Sequence, residues 1–423
     1  MLVDRIRSYV SSSLWVTPAL VVLASFLAAL AFLAVDERID TEDRAFLYSG
    51  GPESAREILS TVSGAMITFT GLVFSITILV LQLASSQYSP RVLRRFFRDR
   101  SSQLSLGTFI GTFTYTLVVL REVRQDGAAG VPGFSVTFAV VFVLIAVGVF
   151  VHYINHISRA IQVSAIVGSV AAETREAVER RYADGRRTTE ETTVAGDLPV
   201  VGTVPSPRPG VLVRVDEEAL IDLAVEADAV IEVVPATGDF VPEGSPLLLL
   251  RGSNVRQLED PGRVRRLAQL ASERTSDQDP AFGIRQLVDI AEKALSPGVN
   301  DPTTAVQAID QIHDLLRRLA GRPFPRDERV DDEGRVRLVI HEMTWWQYVE
   351  LGASEIRLYG ARSLQVHRRL RAMLTDLQAV VPEDRRPPVA EQLRLLDASS
   401  GRSFEDEHDR RVAALPDAQG LGS

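Results

Sequence analysis

The chain has 423 residues, of which 46% are hydrophobic and 24% charged, and its formal net charge is −9. Cysteine is absent, which excludes disulfides and thiolate metal sites, and the acidic balance argues against a general nucleic-acid-binding protein, which needs a basic surface. Nearly all long apolar runs precede His156 and most of the charge follows it. We therefore expect a membrane domain followed by a polar region of one or two further domains.

The amino-terminal part contains four apolar runs, each long enough for a helix that crosses a bilayer. We expect them at about residues 14–35, 58–85, 101–120 and 131–151 of a four-helix transmembrane domain, residues 1–157. A signal peptide is the competing interpretation of the first run, but its apolar core would be shorter and a soluble chain would follow it. The first run is therefore expected to remain as a membrane anchor.

The second run is the longest uncharged stretch of the chain, from Ile58 to Pro90. On a helix its small and hydroxylated residues share one side, while the opposite face, which includes Met66 and Val73, is apolar and suits lipid. Two interpretations of the polar side stay open: close packing against neighbouring helices, or the lining of a water-filled path. The candidate pore or helix-packing residues are Ser60, Ser63, Gly64, Thr68, Thr70, Gly71, Ser75 and Thr77.

A positive cluster follows this run and consists of Arg91, Arg94, Arg95, Arg98 and Arg100. The positive-inside rule places it in the cytoplasm, together with both chain termini, and places the acidic segment 36–57 outside. An arginine ring at a pore mouth would also favour anions. Topology explains the cluster without that second idea.

The third and fourth runs carry two further spacings. Gly107 and Gly111 form the small-xxx-small pattern that brings helices together, and we expect the second and third spans to pack on each other. His152 and His156 lie four residues apart, a spacing that can bind a metal. Because no carboxylate or cysteine at ligand spacing accompanies them, packing or backbone hydrogen bonding is the favoured interpretation. The helix is expected to continue as a stalk, residues 158–182.

After a polar linker the period changes to that of strands, which predicts a small β domain at residues 198–252. The hairpin with turns at Gly238 and Gly244 resembles those of biotinyl and lipoyl domains and of membrane-fusion adaptors, which suggests a small barrel or sandwich. A carrier function would need a lysine at the hairpin tip, which is absent. Residues 262–398 are expected to form a helical domain with one edge strand, Arg335 to His341, and the polar tail 399–423 to be disordered.

A sharp corner in the helical region begins at Ser296 and ends at Pro302. Asp301 is well placed as an N-cap, and Pro302 suits the first helical position. Converging polar groups and a helix N-terminus could hold an anion, but the capping chemistry is complete without a ligand. We therefore interpret the corner as structural, and a hydrolase that uses it with His313 or His341 is a minor alternative. Its residues are Ser296, Pro297, Gly298, Asn300, Asp301 and Pro302.

Four long stretches carry a resemblance to a known family: residues 55–100, 106–121, 282–306 and 348–363. They resemble a bacterial family of predicted membrane proteins that is catalogued only as a domain of unknown function. The resemblance covers nearly the whole chain. It implies a four-span inner-membrane protein with a cytoplasmic carboxy-terminal half, and it implies no activity, cofactor or catalytic residue.

No nucleophile and base pair, Walker loop, dinucleotide fingerprint, HExxH or acidic metal pair is recognisable, so an enzyme is the weaker class and no cofactor is expected. The leading hypothesis is a homo-oligomeric channel or small-solute conduit whose second spans surround the axis, with a cytoplasmic regulatory or assembly domain. The alternative is a membrane-anchored scaffold or sensor without a pore. The expected partners are the lipid bilayer and further copies of the chain, and no nucleic acid.

Overall fold

The fold is taken from a computed structural model that describes residues 15–38, 47–87, 99–124, 131–160, 162–182, 198–252, 266–275 and 278–421. The chain divides into two compact units, Met1–Ala165 and Ile166–Ser423. In the described residues the first unit is helical, and the second combines helices with small sheets. We call them the first unit and the second unit.

The first unit is built from four long helices. They are α1 (Val16–Asp36), α2 (Pro52–Gln87), α3 (Arg100–Glu122) and α4 (Gly133–Ala160). Each is long and apolar enough to cross a membrane, over Val16–Asp36, Pro52–Leu83, Arg100–Glu122 and Gly133–Arg159. The predicted set of four candidate spans is confirmed.

Helix α3 lies at the centre of the first unit and packs against α1, α2 and α4. Half of its apolar window is buried, against at most 22% for the other three helices. The sequence explains this position, because its Gly, Ser and Thr residues let neighbouring backbones approach closely. Core side chains from this helix include Phe109, Tyr115 and Val119, which are fully buried.

The orientation of α2 corrects one expectation. Met66, Val73 and Val80 lie on the face that we predicted to suit lipid, yet all three are buried inside the first unit. They pack with Phe109 and Tyr153 in one apolar cluster. The prediction failed because the interior of a helix bundle in a bilayer is as apolar as the lipid. Apolar side chains alone therefore do not distinguish the bundle interior from the lipid-facing surface.

The second unit opens with α5 (Val163–Arg181), which begins after α4 has ended at Ala160. It is not a free stalk, because its side chains bond to a later helix: Arg175 Nε donates to Asp314 at 2.7 Å and its Nη2 donates to Gln311. Three buried side chains of this helix, Val170, Thr174 and Ala177, show that one face is covered. The helix belongs to the second unit from Ile166 onward.

Two small sheets follow. Their strands are β1 (Val200–Pro205), β2 (Gly210–Val215), β3 (Val230–Val233), β4 (Phe240–Val241), β5 (Pro246–Arg251), β6 (Ala268–Ala271), β7 (Glu328–Val330) and β8 (Val336–Ile340), with α6 (Glu217–Ala227) after β2. The five-stranded sheet has the order β1-β5-β3-β8-β7, and the three-stranded sheet has the order β4-β2-β6. Only the pairing of β3 with β8 is parallel among the described strand pairs.

The sheets differ from the predicted β domain in two ways. The strand predicted at Arg335 to His341 is confirmed as β8, but it lies inside the five-stranded sheet and not at its edge. Strands β6 and β7 also come from the region expected to be helical, and with β8 they complete both sheets. Neither sheet closes into a barrel within the described residues, because each has two edge strands in its strand order. The hairpin turns themselves lie where the sequence placed them, with positive φ at Gly238 and Gly244.

Six further helices follow in the described part of the chain, and five of them begin at a side chain that caps them. They are α7 (Pro280–Ala294), α8 (Pro302–Ala320), α9 (Trp345–Tyr359), α10 (Leu364–Val380), α11 (Arg386–Ser403) and α12 (Glu407–Ala413). The exception among these described helices is α11, which has no such cap. Asp279 accepts from Phe282 N at 3.1 Å, and Thr344 forms a capping box with Gln347. Such caps satisfy amides that have no partner within the helix.

The tail predicted to be disordered is ordered up to residue 421. It contains the end of α11 and all of α12, and Phe404 and Ala413 are buried. Gln365 Nε2 donates to Gly420 O at 2.6 Å, which ties the last described residues to α10. The prediction failed because a few apolar side chains and backbone hydrogen bonds hold a segment whose composition is mostly polar.

Candidate functional site

The interior of the first unit is filled by aromatic rings and paired hydroxyls. Phe69 lies 5.8 Å from Phe109 and 4.8 Å from Phe150, centroid to centroid. Four further rings pack toward the other end of the unit, Phe32, Tyr115, Phe138 and Phe142. Such rings leave little space for water between the four helices of one chain.

The predicted polar side of α2 separates into two lines, and the first points inward. We call Ser63, Thr70 and Thr77 the inward line. Ser63 Oγ lies 2.8 Å from the Thr116 hydroxyl of α3, and Thr77 Oγ1 lies 2.9 Å from the Tyr153 hydroxyl of α4. Thr70 Oγ1 donates to the carbonyl of Met66 at 2.8 Å. These hydroxyls are satisfied within one chain and serve helix packing.

The second line points away from the other three helices. We call it the outward line: Ser60, Gly64, Thr68, Gly71 and Ser75, all of which are exposed. Thr68 Oγ1 donates to Gly64 O of the same helix at 3.0 Å. A Cβ atom added at Gly64 or Gly71 would meet no atom within 4 Å. Nothing in the described part of the first unit covers this line.

Helical spacing extends the outward line at both ends. Glu53 and Glu57 continue it toward the start of α2, Gln82 continues it toward the end, and all three are exposed. Exposed apolar side chains flank the line on both sides, namely Ile67 and Phe74 on one, Leu72 and Leu79 on the other. The outward face of α2 is therefore a polar centre between two apolar borders.

The outward faces of two other spans have a different composition. Leu23 and Leu27 of α1 are exposed, and so are Leu144 and Ile145 of α4. Large apolar side chains are what lipid contact favours, whereas small and hydroxylated residues are typical of helix contacts and of hydrated surfaces. The outward line is thus distinct from the lipid-suited faces of the same unit.

Gly107 and Gly111 lie against the first span and not against the second. A Cβ added at Gly107 would lie 3.0 Å from Val21 Cβ and 3.2 Å from the backbone of Pro18. One added at Gly111 would clash with Ser25. The close approach between α1 and α3 therefore depends on both glycines.

The positive cluster is mostly outside the described residues: Arg91, Arg94, Arg95 and Arg98 belong to that part. Arg100 is the first residue of α3 and is exposed. Beside it, Asp99 accepts from Ser101 N and Ser102 N and lies 3.0 Å from His156 Nε2. No group of three or more potential ligand side chains that could hold a metal occurs among the residues described.

Two aspartates that sequence reasoning missed connect the helix ends of the first unit. Asp99 caps α3 and contacts the end of α4. Asp36, the last residue of α1, accepts from Phe134 N at 2.8 Å, Ser135 N at 2.9 Å and Ser135 Oγ at 2.6 Å at the start of α4. The Asp-x-Ser-Ser order at 99–102 is a capping signal, whereas nothing in the sequence connects Asp36 with Ser135.

The corner at Ser296 to Pro302 contains complete capping contacts. Asp301 accepts from Thr304 N at 3.1 Å and its own amide donates to Ala294 O at 2.8 Å. Asn300 has φ 49°, a left-handed conformation that a sharp turn uses. Pro297, Gly298 and Asn300 are exposed, and Ser296 Oγ donates to Lys293 O.

The two histidines of the hydrolase alternative have other partners. His313 Nε2 lies 2.8 Å from Asp376, and its Nδ1 lies 3.1 Å from Arg369 Nη2. His341 lies 3.6 Å from both Glu232 and Asp327. The described contacts of these rings therefore involve acids and an arginine outside the corner, and they do not assemble a catalytic pair with Asp301.

A largely buried ion quartet in the second unit, with side chains 9–15% exposed, was also missed. Arg329 Nε lies 2.9 Å from Glu217 and its Nη2 lies 2.6 Å from Glu342, while Arg181 pairs with both carboxylates. Burial opposes ionisation of Glu217, but the charges of Arg181 and Arg329 outweigh it and lower the pKa of Glu217 to about 2. The quartet joins the end of α5 to α6 and to the strands β7 and β8.

An open groove lies beside this quartet at the start of α9. Its volume is about 440 Å³, and its lining includes Phe324, Trp345, Trp346, Arg385 and Pro388. Trp345 is buried and donates from Nε1 to Arg385 O at 2.8 Å, whereas Trp346 is exposed. The adjacent tryptophans were the signal in the sequence that could have indicated such a surface.

Comparison with known proteins places these features in a family. The model of a family described as "Predicted membrane protein (DUF2254)" matches residues 11–376. An uncharacterised protein of Mycobacterium bovis and one of Mycobacterium tuberculosis are each 33% identical to this chain over 419 residues, which cover 96% of this chain and 80% of the relative. No solved structure matches the chain.

Proposed function

The chain belongs to the DUF2254 family of predicted membrane proteins, and from that premise we propose that it is a homo-oligomeric conduit for a small solute or ion. In this proposal copies of α2 surround the axis, and their outward lines face one another across a hydrated path. The observation that carries the proposal is the exposure of Ser60, Gly64, Thr68, Gly71 and Ser75 on an otherwise apolar helix.

The packed interior supports a path between copies in preference to a path through one chain. Phe69, Phe109 and Phe150 occupy the space between three helices. The inward hydroxyls, Ser63 and Thr77, already pair with Thr116 and Tyr153. The outward line has the chemistry that hydrates a pore without a buried charge.

The orientation in the proposal follows the positive cluster. The cluster that ends at Arg100 lies in the cytoplasm of the cell, since positive loops beside spans stay on that side. Both termini and the second unit are then cytoplasmic, and the exposed Glu53 and Glu57 lie at the outer mouth. The membrane is the inner, or plasma, membrane, and the second unit has a regulatory or assembly role.

The absence of cysteine from the sequence allows a direct test. Single cysteines are placed at Thr68, Gly71 and Ser75 of the outward line, at Ser63 as a buried control, and at Leu144 as a lipid-facing control. In proteoliposomes a charged, water-soluble thiol reagent should modify the outward positions and spare both controls. Oxidation should also join two copies through the outward cysteines.

A flux assay completes the test. Thr68→Trp or Gly71→Trp would fill the proposed path, so ion or solute flux through the reconstituted protein should fall. Leu144→Trp, which adds the same ring on a lipid-suited face, should leave flux unchanged. Unaltered flux in the two outward variants would contradict the conduit.

One observation favours a second candidate, a scaffold or sensor without a pore. Gly64 and Gly71 lie seven residues apart and a Cβ at either would meet nothing, so another helix could approach this surface closely. In that case the outward lines form a dry contact between copies. Outward cysteines would then form disulfides between copies but would not react with water-soluble reagents.

A further inference from the structure

Three helix ends meet in the second unit at Arg357, His367 and Arg402. Arg357 lies in the last turn of α9, His367 in the first turn of α10 and Arg402 in the last turn of α11. The three helices pack together, and the His367 ring lies 5.6 Å, centroid to centroid, from Phe404, the residue that follows α11. Arg402 lies close enough to Arg357 that burial and the charge of Arg402 together lower the pKa of the Arg357 guanidinium.

Among the described arginines, Arg357 is the one with a buried side-chain nitrogen that has no hydrogen-bond partner. This atom, Nε, has none within the residues that the structure describes. Other buried arginine side chains are satisfied: Arg369 pairs with Asp310 at 2.6 Å, and Arg337 pairs with Asp331 at 2.9 Å. A buried donor without a partner costs about 1–3 kcal/mol, and more when the group is charged.

The ordinary role of an arginine near a helix C-terminus does not explain this contact pattern. Such an arginine offsets the helix dipole and donates to the last carbonyls. Arg385 does so for α8, since its Nη1 donates to Leu319 O and Ala320 O. Arg357 makes no such bond in the described part of the chain, and Arg402 has no carboxylate partner there either.

His367 adds a second unsatisfied polar atom where these helix ends meet. The ring is 1% exposed, it bonds to the backbone of Leu396, and its Nε2 has no partner among the described residues. Burial, and then the charge of Arg371, lower the pKa of His367 to about 4, so the ring is neutral at pH 7. A neutral Nε2 can accept a hydrogen bond from the hydroxyl of a protonated anion.

From these neighbours we infer an anion site: Arg357 and Arg402 bind a phosphate group, either of a free phosphate-bearing small molecule or of a phospholipid headgroup. Two guanidinium forks present several N–H donors and two charges, which match the oxygens and the charge of a phosphate. The hydroxyl of a hydrogen phosphate could also donate a hydrogen bond to His367 Nε2. Leu358 and Tyr359, next to Arg357, are 60% and 56% exposed, so apolar surface adjoins the site.

The test is binding to the purified full chain in detergent by isothermal titration calorimetry at pH 7. One arm uses inorganic pyrophosphate, and the other uses a short-chain phosphatidic acid with matched phosphatidylcholine as its reference. Saturable binding in the first arm identifies a free phosphate compound as the source, and binding in the second arm alone identifies a lipid headgroup. Either result supports the site if the binding depends on Arg402.

Two variants decide that dependence. Arg402→Gln changes an exposed side chain, so the fold should persist, and the Kd should rise at least about tenfold because charge-assisted hydrogen bonds are lost. Arg402→Lys should recover part of the affinity. Arg394→Gln is the matched control, since Arg394 lies on the same helix, is exposed and pairs with Glu391. An absence of binding in both arms, or equal affinity in Arg402→Gln and Arg394→Gln, would overturn the proposal.

Discussion

The two units of this chain bury polar groups in different chemical forms. Between the helices of the first unit the buried contacts are hydroxyl pairs such as Ser63 with Thr116. Inside the second unit they include ion pairs such as that of Arg329 with Glu217, beside a buried hydroxyl pair of Tyr182 with Tyr348. An isolated charge is costly within a bilayer, whereas a hydroxyl needs only one partner, and this difference accounts for the division.

The outward line of α2 is an exception to this pattern. Hydroxyls of the inward line have partners on α3 and α4, whereas the outward line of the same helix has partners only within α2. The two lines contain similar residues and differ in what covers them. The proposed function rests on that difference, and the variants below change either a buried contact or an exposed one.

The largest effect is expected from the ion quartet. Glu217→Gln removes one charge from a largely buried set of four, which leaves Arg181 and Arg329 with a surplus positive charge. We expect the free energy of unfolding of the second unit to fall by about 3–5 kcal/mol. Urea unfolding followed by tryptophan fluorescence measures it, because Trp345 and Trp346 lie in this unit.

The control for that experiment is a surface ion pair, and acid provides a second check. Glu391→Gln breaks an exposed pair with Arg394 and should cost less than about 1 kcal/mol. The pKa of Glu217 falls from 4.5 to about 2 in the fold, so its contribution is complete above pH 4.5 and is lost as the pH falls toward 2. Glu217→Gln should lack this loss, and an unchanged acid transition would contradict the role of the quartet.

A smaller effect is expected from Asp36, the carboxylate that joins α1 to α4. Asp36→Ala removes the acceptor of three hydrogen bonds, including two from helix N-terminal amides. The loss should be about 2 kcal/mol, as for other capping residues with buried partners. Unfolding of the detergent-solubilised protein by sodium dodecyl sulfate measures it. Asp36→Asn should retain part of the contact, and Glu37→Ala, an exposed neighbour, should be neutral.

The third variant should stabilise the protein. Arg285 of α7 faces Asp289, Glu292 and Glu355, so three carboxylates share one cation. Burial, and then the contact with Glu355, raise the pKa of Glu292 to about 7. The second unit should therefore lose stability as the pH rises from about 4.5 to about 7, because the folded state holds the proton longer.

Glu292→Gln removes that proton dependence and should raise the free energy of unfolding at pH 7 by up to about 1 kcal/mol. Urea unfolding at pH 5 and at pH 7 measures the change, and the gain should be absent at the lower end of this window. Glu350→Gln on α9, an exposed site, is the control. A destabilised Glu292→Gln variant at pH 7 would show that the carboxylate is needed in its charged form.

How far the sequence predicts this structure depends on the range of the interaction. Apolar length alone indicated the four spans, and local capping chemistry indicated the start of α8 at Asp301. Each of these signals is local, because the residues that form it are neighbours along the chain. By contrast, Asp36 meets Ser135 and Arg181 meets Glu342 across about a hundred residues or more, and no local pattern connects them.

The candidate site shows the same limit. Helical periodicity predicted that Ser60, Gly64 and Ser75 lie on one line of α2. In the structure all three are exposed on that helix. The periodicity could not decide which line meets the other helices, because in a bilayer the protein core and the lipid are equally apolar. The buried Met66 and Val73 therefore looked like a lipid face until their neighbours were known.

A weak coupling is expected between the hydroxyls of Ser63 and Thr116. A double-mutant cycle with Ser63→Ala and Thr116→Val should give about 0.6 kcal/mol, the usual size of hydrogen bonds between spans. A parallel cycle with Thr108→Val should be additive, since Thr108 Oγ1 bonds to Leu104 O of its own helix. A coupling energy as large as that of a buried ion pair would contradict the expected difference between hydroxyl pairs in the first unit and ion pairs in the second.

The smallest effect on folding is expected on the outward line. A threonine-to-leucine substitution on each line of α2 tests this difference. Thr68→Leu changes an exposed side chain and should alter the unfolding free energy by less than about 0.5 kcal/mol. Thr70→Leu places the same group on the half-buried inward line, where overpacking costs about 1–3 kcal/mol. Native mass spectrometry of both variants then reports assembly. Loss of the oligomer in Thr68→Leu alone would mean that the outward line joins copies, whereas a variant unchanged in folding, assembly and flux would mean that the line faces lipid.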